Sequence, residues 1–296
     1  NARGTAPGFW HDGDAARLFV LPGVPVEMKA MFAQAVAPLV DPGGGVGAGG
    51  VGSCARVARL LTFGASEARV GDMLADMMAA ERNPSLGTTA SGAVITVRIV
   101  AYGRDAATAD RLVDGDVAEV RRRLGHAVFG ADEDTLQDAV ARLLIAQGRT
   151  IATAESCTGG LLAKRLTDVP GASGYFLRGV VAYANDAKTA LLGVPGDVIA
   201  SEGAVSEAVA RAMADGCRRL AGSDLAVSIT GIAGPDGGSP PDRPVGLVYI
   251  GVADRDGVAV RRFVFGSHLT RAEVRDRSCK TALNLVRLQL LDAAPT

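Results

Sequence analysis

The sequence predicts an α/β protein: a three-layer α/β/α C-terminal domain with a mixed sheet, preceded by a smaller βαβα domain. Three observations carry that expectation. Aliphatic and β-branched runs alternate with amphipathic helical patterns from about residue 54 onward, as crossover-connected strands require. At Thr150 and again at Ser228 a strand-like run passes into a glycine-rich loop, and such loops gather at one sheet edge. Finally, the runs 245–253 and 258–265 flank Asp254-Arg255-Asp256-Gly257 and read as a hairpin, which makes the sheet mixed.

Along the chain, Leu18–Leu21 reads as a strand and Pro22-Gly23 as a turn before a helix around Val24–Lys29. Asp41–Ser53 is rich in Pro and Gly, has almost no side chains to bury, and reads as a linker. A strand (56–63), a helix (66–80), a strand (93–102) and a helix (106–124) follow. From Asp134 a helix with Leu136, Val140, Leu143 and Leu144 on one face leads to the strand at Thr150. The remainder reads as helix 159–167, strand 175–183, helices 186–192 and 206–221, strands 224–230, 245–253 and 258–265, and helix 270–291. The expected divisions are 1–41, a linker at 42–53, a domain at 54–131 and a domain at 132–296.

Composition bounds the chemistry. A chain of 296 residues can hold about two domains. Its residues are 48% apolar but only 4% aromatic, so Ala, Val and Leu must do most of the packing. A net charge of −1 gives no electrostatic reason to expect nucleic acid or an anionic membrane as partner. Apolar runs such as Leu247–Ala253 are far shorter than the ~20 residues of a membrane span, and no signal peptide is visible. Four cysteines, at 54, 157, 217 and 279, lack CxxC spacing and read as reduced thiols of a cytoplasmic protein. The chain opens on Asn in mid-pattern, which reads as a fragment. The acidic residues are scattered without ligand spacing, so neither metal nor cofactor is expected.

Three loops carry the candidate chemistry. Glu155-Ser156-Cys157-Thr158-Gly159-Gly160 ends a β-prone run and opens a helix, placing a serine hydroxyl beside helix-terminal N–H groups suited to an oxyanion. The same residues could equally form a glycine turn with a helix cap. Tyr183-Ala184-Asn185-Asp186-Ala187-Lys188 follows a second apolar run, and Thr230-Gly231-Ile232-Ala233-Gly234-Pro235-Asp236 follows a third. His11, His126 and His268 have no catalytic context, so a serine nucleophile needs another base. Lysine serves if burial disfavours its charged form. Ser156 and Lys188 are separated by one helix and one strand, as two adjacent strand ends facing a crevice would be. Cys157 is a weaker nucleophile candidate for want of a positive partner. Asp236 reads as a turn former, and of Arg271 and Arg275, four apart on the last helix, Arg271 reads as solvated.

These strings, in this order, resemble the C-terminal domain of the CinA family from about Leu136 to Leu291. Stand-alone members of that family are nicotinamide mononucleotide deamidases. The resemblance implies that Ser156 is the nucleophile and Lys188 the general base, with Tyr183 lining the site and Ser173 beside the nucleophile. It implies a substrate-contact set of Cys157, Thr158, Gly159, Gly160, Thr230, Gly231, Ala233, Gly234 and Arg275, nicotinamide mononucleotide as substrate, and a homodimer. Residues 54–131 resemble the family's KH-like middle domain, but Gly64-Ala65-Ser66-Glu67 breaks the GxxG clamp that nucleic-acid binding would need. Residues 1–41 resemble the end of a molybdopterin-binding-like domain; its phosphate-handling loop has no counterpart here, so pyrophosphatase activity on ADP-ribose is expected to be missing. A nucleotide-sensing module without turnover is the remaining alternative, since inactive members of the family exist.

Overall fold

The structure is a computed structural model describing residues 1, 4–13, 16–40, 54–238 and 242–292. The expected linker at 42–53 lies outside the described residues. The chain forms two compact units, one of Asn1–Ala58, Leu74–Gly87 and Arg98–Arg122, the other of Arg59–Met73, Thr88–Val97 and Arg123–Thr296. No helix of the described residues is long and apolar enough to cross a membrane.

The first elements are a two-stranded antiparallel pair, β1 (Phe9–Asp12) and β2 (Arg17–Val20). Helix α1 (Pro25–Met31) follows, with proline at its first position, and leads through a π-helical turn into α2 (Ala37–Val40). Proline at that place sacrifices only an N–H that has no intrahelical partner. Then come β3 (Cys54–Phe63), α3 (Glu67–Leu74), β4 (Ser85–Ser91), β5 (Val94–Gly103), α4 (Ala106–Leu124) and β6 (Val128–Ala131). They form a four-stranded sheet in the order β4-β5-β3-β6. This module holds two strands, β4 and β6, beyond the βαβα expectation. Arg82 pairs with Asp116, and the Asn83 side chain bonds both the N–H and the carbonyl of Tyr102.

From α5 (Leu136–Gln147) onward the elements are β7 (Ile151–Glu155), α6 (Leu161–Thr167), β8 (Phe176–Val181), α7 (Asn185–Leu192), α8 (Gly196–Glu202), α9 (Glu207–Ala221), β9 (Leu225–Gly231), β10 (Leu247–Ala253), β11 (Val258–Val264) and α10 (Arg271–Asp292). Helix α5 starts at a capping box made by Thr135 and Asp138 and stops at Gly148, whose φ is 60°. The sheet order is β11-β10-β9-β7-β8. Strand β7 pairs in parallel with β8 and β9, whereas β10 pairs antiparallel with both β9 and β11. The mixed sheet expected from the hairpin is therefore present.

Period-two alternation assigns the two faces. Ile151, Leu225, Val227 and Ile229 pack with residues of α5, α6 and α10. Ala152, Ala154 and Ala226 pack with residues of α7 and α9. Small residues on this second face let α9 approach closely, which is how a chain so poor in aromatics fills its core. At Gly216 of α9 an added Cβ would stand 1.8 Å from the carbonyl oxygen of Leu192. Only glycine admits that contact between α9 and the end of α7.

Candidate active site

Strand β7 ends at Glu155, and its neighbours tie that end down. The Glu155 carbonyl accepts from Ala182 N–H at 2.9 Å, and Ser156 N–H donates to Ile229 O at 2.9 Å. The chain must then turn sharply into α6. Gly159 (φ 59°) and Gly160 (φ 90°) make that turn in the left-handed region, where a side chain would be strained. Alternation along β7 puts Glu155 on the α6 side of the sheet. Its buried carboxylate accepts from Gly160 N–H (3.0 Å), Leu162 N–H (3.0 Å) and Ala163 N–H (2.8 Å).

These bonds correct one expectation. The N–H groups of Gly159 and Leu161 are also taken, by the carbonyls of Ser156 and Thr158. The start of α6 is thus occupied by the chain's own carboxylate and offers no free donors at 159–163. Of the loop amides, those of Cys157 and Thr158 have no acceptor elsewhere in the chain among the described residues.

A cavity of about 250 Å³ opens beyond this strand end. Ser156, Cys157, Tyr183 and Lys188 line it with Thr230, Gly231, Ala233 and Gly234. Three strand-following loops therefore meet at one place, as parallel pairing of β8, β7 and β9 dictates. Ser156 is 9% exposed. Thr230 lines the wall while its hydroxyl donates to Ala204 O at 2.7 Å.

Lys188 lies on α7, four residues before buried Leu192, so it occupies the helix's inward face. It is only 1% exposed. Its Nζ donates to Tyr183 O at 3.0 Å, and no carboxylate lies within ion-pairing distance among the described residues. Burial pulls its pKa below the ordinary lysine value. Cys157 moves the opposite way: burial above all, then the nearby Glu155 charge, pushes its thiol up to about 12. A thiol so placed stays protonated at neutral pH and is a poor nucleophile.

Four further expectations need correction. Ser173 sits in a 3₁₀ turn before β8. Because Phe176 pairs with Ile151 in a parallel ladder, that turn is at the sheet edge opposite Ser156, about 15 Å away at ~3.3 Å per strand residue. Arg275 does not line the cavity; its Nη2 donates to Thr158 O at 2.7 Å, and it braces the turn. Arg271, one helical turn earlier, does line it, donating to Gly234 O at 2.8 Å and to the Tyr183 hydroxyl at 2.9 Å. The Tyr183 hydroxyl is therefore engaged by Arg271, and it is the Tyr183 carbonyl that meets Lys188. Thr158, Gly159 and Gly160 likewise stand outside the cavity wall.

Sequence reasoning also missed Glu155, Asn185 and the placement of Asp236, the last two of which line the cavity. A signal for Glu155 existed. An acid at the last inward position of a short β-prone strand, just before a helix start, needs N–H donors to be buried at all.

A model of the CinA C-terminal domain matches residues 133–290, and one of the damage-inducible protein CinA KH domain matches residues 58–130. A CinA-like protein of Geobacter sulfurreducens is 45% identical over 294 residues, covering 99% of this chain and 69% of the relative. A putative competence-damage inducible protein of Symbiobacterium thermophilum is 43% identical, covering 98% and 69% respectively. Among solved structures, the competence/damage inducible protein CihA of Agrobacterium tumefaciens aligns with a TM-score of 0.50 at 39% identity, over 53% of this chain and 97% of that one. The competence damage-inducible protein A of Klebsiella pneumoniae aligns with a TM-score of 0.51 at 34% identity, over 54% and 97%. With two family models matching residues 58–130 and 133–290 and relatives alike along nearly its whole length, the chain belongs to the CinA family.

Proposed function

We propose that this cavity is an amidohydrolase site that converts nicotinamide mononucleotide to nicotinic acid mononucleotide and ammonia. The observation that carries the reading is Lys188: a buried amine with no carboxylate partner among the described residues, on the wall that also presents Ser156. Burying a lysine is costly unless its neutral form is useful. In the proposed reaction, Ser156 Oγ attacks the carboxamide carbon and passes its proton to neutral Lys188 Nζ. The tetrahedral oxyanion forms near the Cys157 N–H, which no acceptor elsewhere in the chain engages among the described residues. Lys188 then gives that proton to the departing nitrogen, which leaves as ammonia. Water attacks the acyl-serine, Lys188 takes a proton from it, and the nicotinate carboxylate is released as Ser156 recovers its hydrogen. Arg271, cationic and planar on the cavity rim, suits a phosphate.

Ammonia release from nicotinamide mononucleotide in the presence of EDTA tests the reading. Ser156→Ala is expected to lower kcat by ~10³-fold or more, while Cys157→Ala keeps most of the activity. Turnover that survives in Ser156→Ala, or phosphate chemistry that needs a divalent metal, overturns it. So does tight binding without turnover.

A further inference from the structure

We infer that Glu155 is the positioning residue of the nucleophile: its carboxylate bridges the end of β7 and the start of α6 and so fixes the turn that presents Ser156. The inference rests on the amidohydrolase reading of the site and deepens it.

The turn of residues 156–159 is closed into a ring. Its two ends are residue 155, whose backbone is bonded to Ala182 and, through Ser156 N–H, to Ile229, and Gly160, whose N–H binds the Glu155 side chain. The same carboxylate reaches on to Leu162 and Ala163. One group thus holds three consecutive pieces of structure in register: a strand, the turn and a helix. Glu155 is buried, and no cation lies within ion-pairing distance of it among the described residues. The two basic residues of α6 are paired elsewhere, Lys164 with Asp168 and Arg165 with Asp276.

Among the described residues the hydrogen-bond partners of this carboxylate are three backbone N–H groups, an arrangement that demands close geometry. A carboxylate satisfied by a salt bridge could swing with a flexible partner. One satisfied by three backbone amides cannot move without moving the helix. A neutral polar residue would not do the same work, because the amide end of a glutamine would face N–H donors. Arg275 completes the brace by holding the Thr158 carbonyl. The loop that carries Ser156 is gripped by an anion on its helix side and by a cation at its middle.

The test compares wild type with Glu155→Gln in two measurements: steady-state ammonia release, with kcat and KM separated, and the rate at which a fluorophosphonate labels Ser156, read by mass spectrometry. The second needs no nicotinamide substrate. With a native circular-dichroism spectrum and a melting point above the assay temperature, Glu155→Gln is expected to lose ~10²-fold in kcat, the cost of misplacing a reacting atom by about an ångström. KM should stay within about threefold, and labelling should fall in parallel with kcat. A folded Glu155→Gln whose kcat and labelling rate stay near wild type overturns the inference, as does a loss confined to KM. Should Glu155→Gln not fold, Glu155→Asp decides: it keeps the charge but withdraws the carboxylate by one methylene. Slower labelling there, by at least about tenfold, supports positioning, and wild-type labelling overturns it. Failure of both variants to fold makes Glu155 a folding residue and also overturns it. If wild type releases no ammonia, the amidohydrolase reading falls, and the labelling comparison alone judges Glu155. A folded wild type whose Ser156 never labels leaves nothing to position and overturns the inference.

Discussion

Lys188 and Arg287 are both buried, at 1% and 3% exposure, and neither has a carboxylate within ion-pairing distance among the described residues. Burial depresses the pKa of both. Their surroundings part company there. Arg287 donates to Asn284 Oδ1 through Nε (3.2 Å) and Nη2 (2.8 Å), and to the His126 carbonyl. A planar group bonded in several directions holds its charge and joins α10 to the turn before β6. Lys188 has one acceptor, the Tyr183 carbonyl, and faces a cavity. Burial without satisfaction marks a group free to change protonation. Burial with satisfaction marks a structural pin.

Exchanging the lysine tests this contrast most severely. Lys188→Arg keeps a cation that cannot give up its proton. Its kcat is expected to fall ~10³-fold, within the range for loss of a general base. Substantial turnover in this variant would put Lys188 with Arg287 as a pin and remove it from the mechanism.

The pH profile sharpens the same point. Because burial lowers the Lys188 pKa, its neutral form appears at lower pH than for a free lysine. The rate should rise about tenfold per pH unit on the acid limb and level off below ~10.4. A limb that still climbs to that value would mean the amine is not desolvated in solution.

Stability should separate the two cations by sign. Arg287→Met leaves Asn284 Oδ1 and the His126 carbonyl without their donor, and should cost about 2–3 kcal/mol in denaturant unfolding with kcat little changed. Lys188→Met removes a penalty instead, and a gain of about 1 kcal/mol is expected alongside loss of activity. The linkage fixes the pH window. A lysine with a lowered folded pKa makes the unfolded chain bind more protons between that value and ~10.4, so wild-type stability rises with pH there. The advantage of Lys188→Met should be greatest below the folded pKa and shrink toward pH ~10.4. If both variants destabilise alike, the contrast fails.

Much of the architecture was legible in the sequence because it is periodic. Helix α4 runs from Ala106 to Leu124, the expected bounds. Helix α5 begins where its apolar face begins, and the β10–β11 hairpin follows its turn residues. The elements that escaped are short or weakly apolar. Strand β4 reads SLGTTAS with one buried position, β6 has four residues, and α8 starts on a glycine with none buried. The site was legible in part. Three loops after three strands pointed to one edge, and the cavity wall holds Ser156 and Lys188. What sequence spacing could not supply was depth. Arg271 and Arg275 share a helix face, and only the packing of α10 decides which turn reaches the rim. Ser173 precedes its strand, whereas Ser156 follows its own, and a parallel pair puts those positions at opposite edges.

The contact at Gly216 has a bearing on how this protein can change. The helix carrying Lys188 ends with its Leu192 carbonyl pressed against a position where any side chain would overlap it. Substitutions there would displace α7, and Lys188 with it, relative to the strand ends while leaving the identity of every residue of the cavity wall unchanged. An engineer who altered only the visible lining would overlook this contact. In a mutational survey, position 216 should emerge as a place where folded, unaltered-looking pockets go silent, because the distance between serine and amine is set from the far side of the helix.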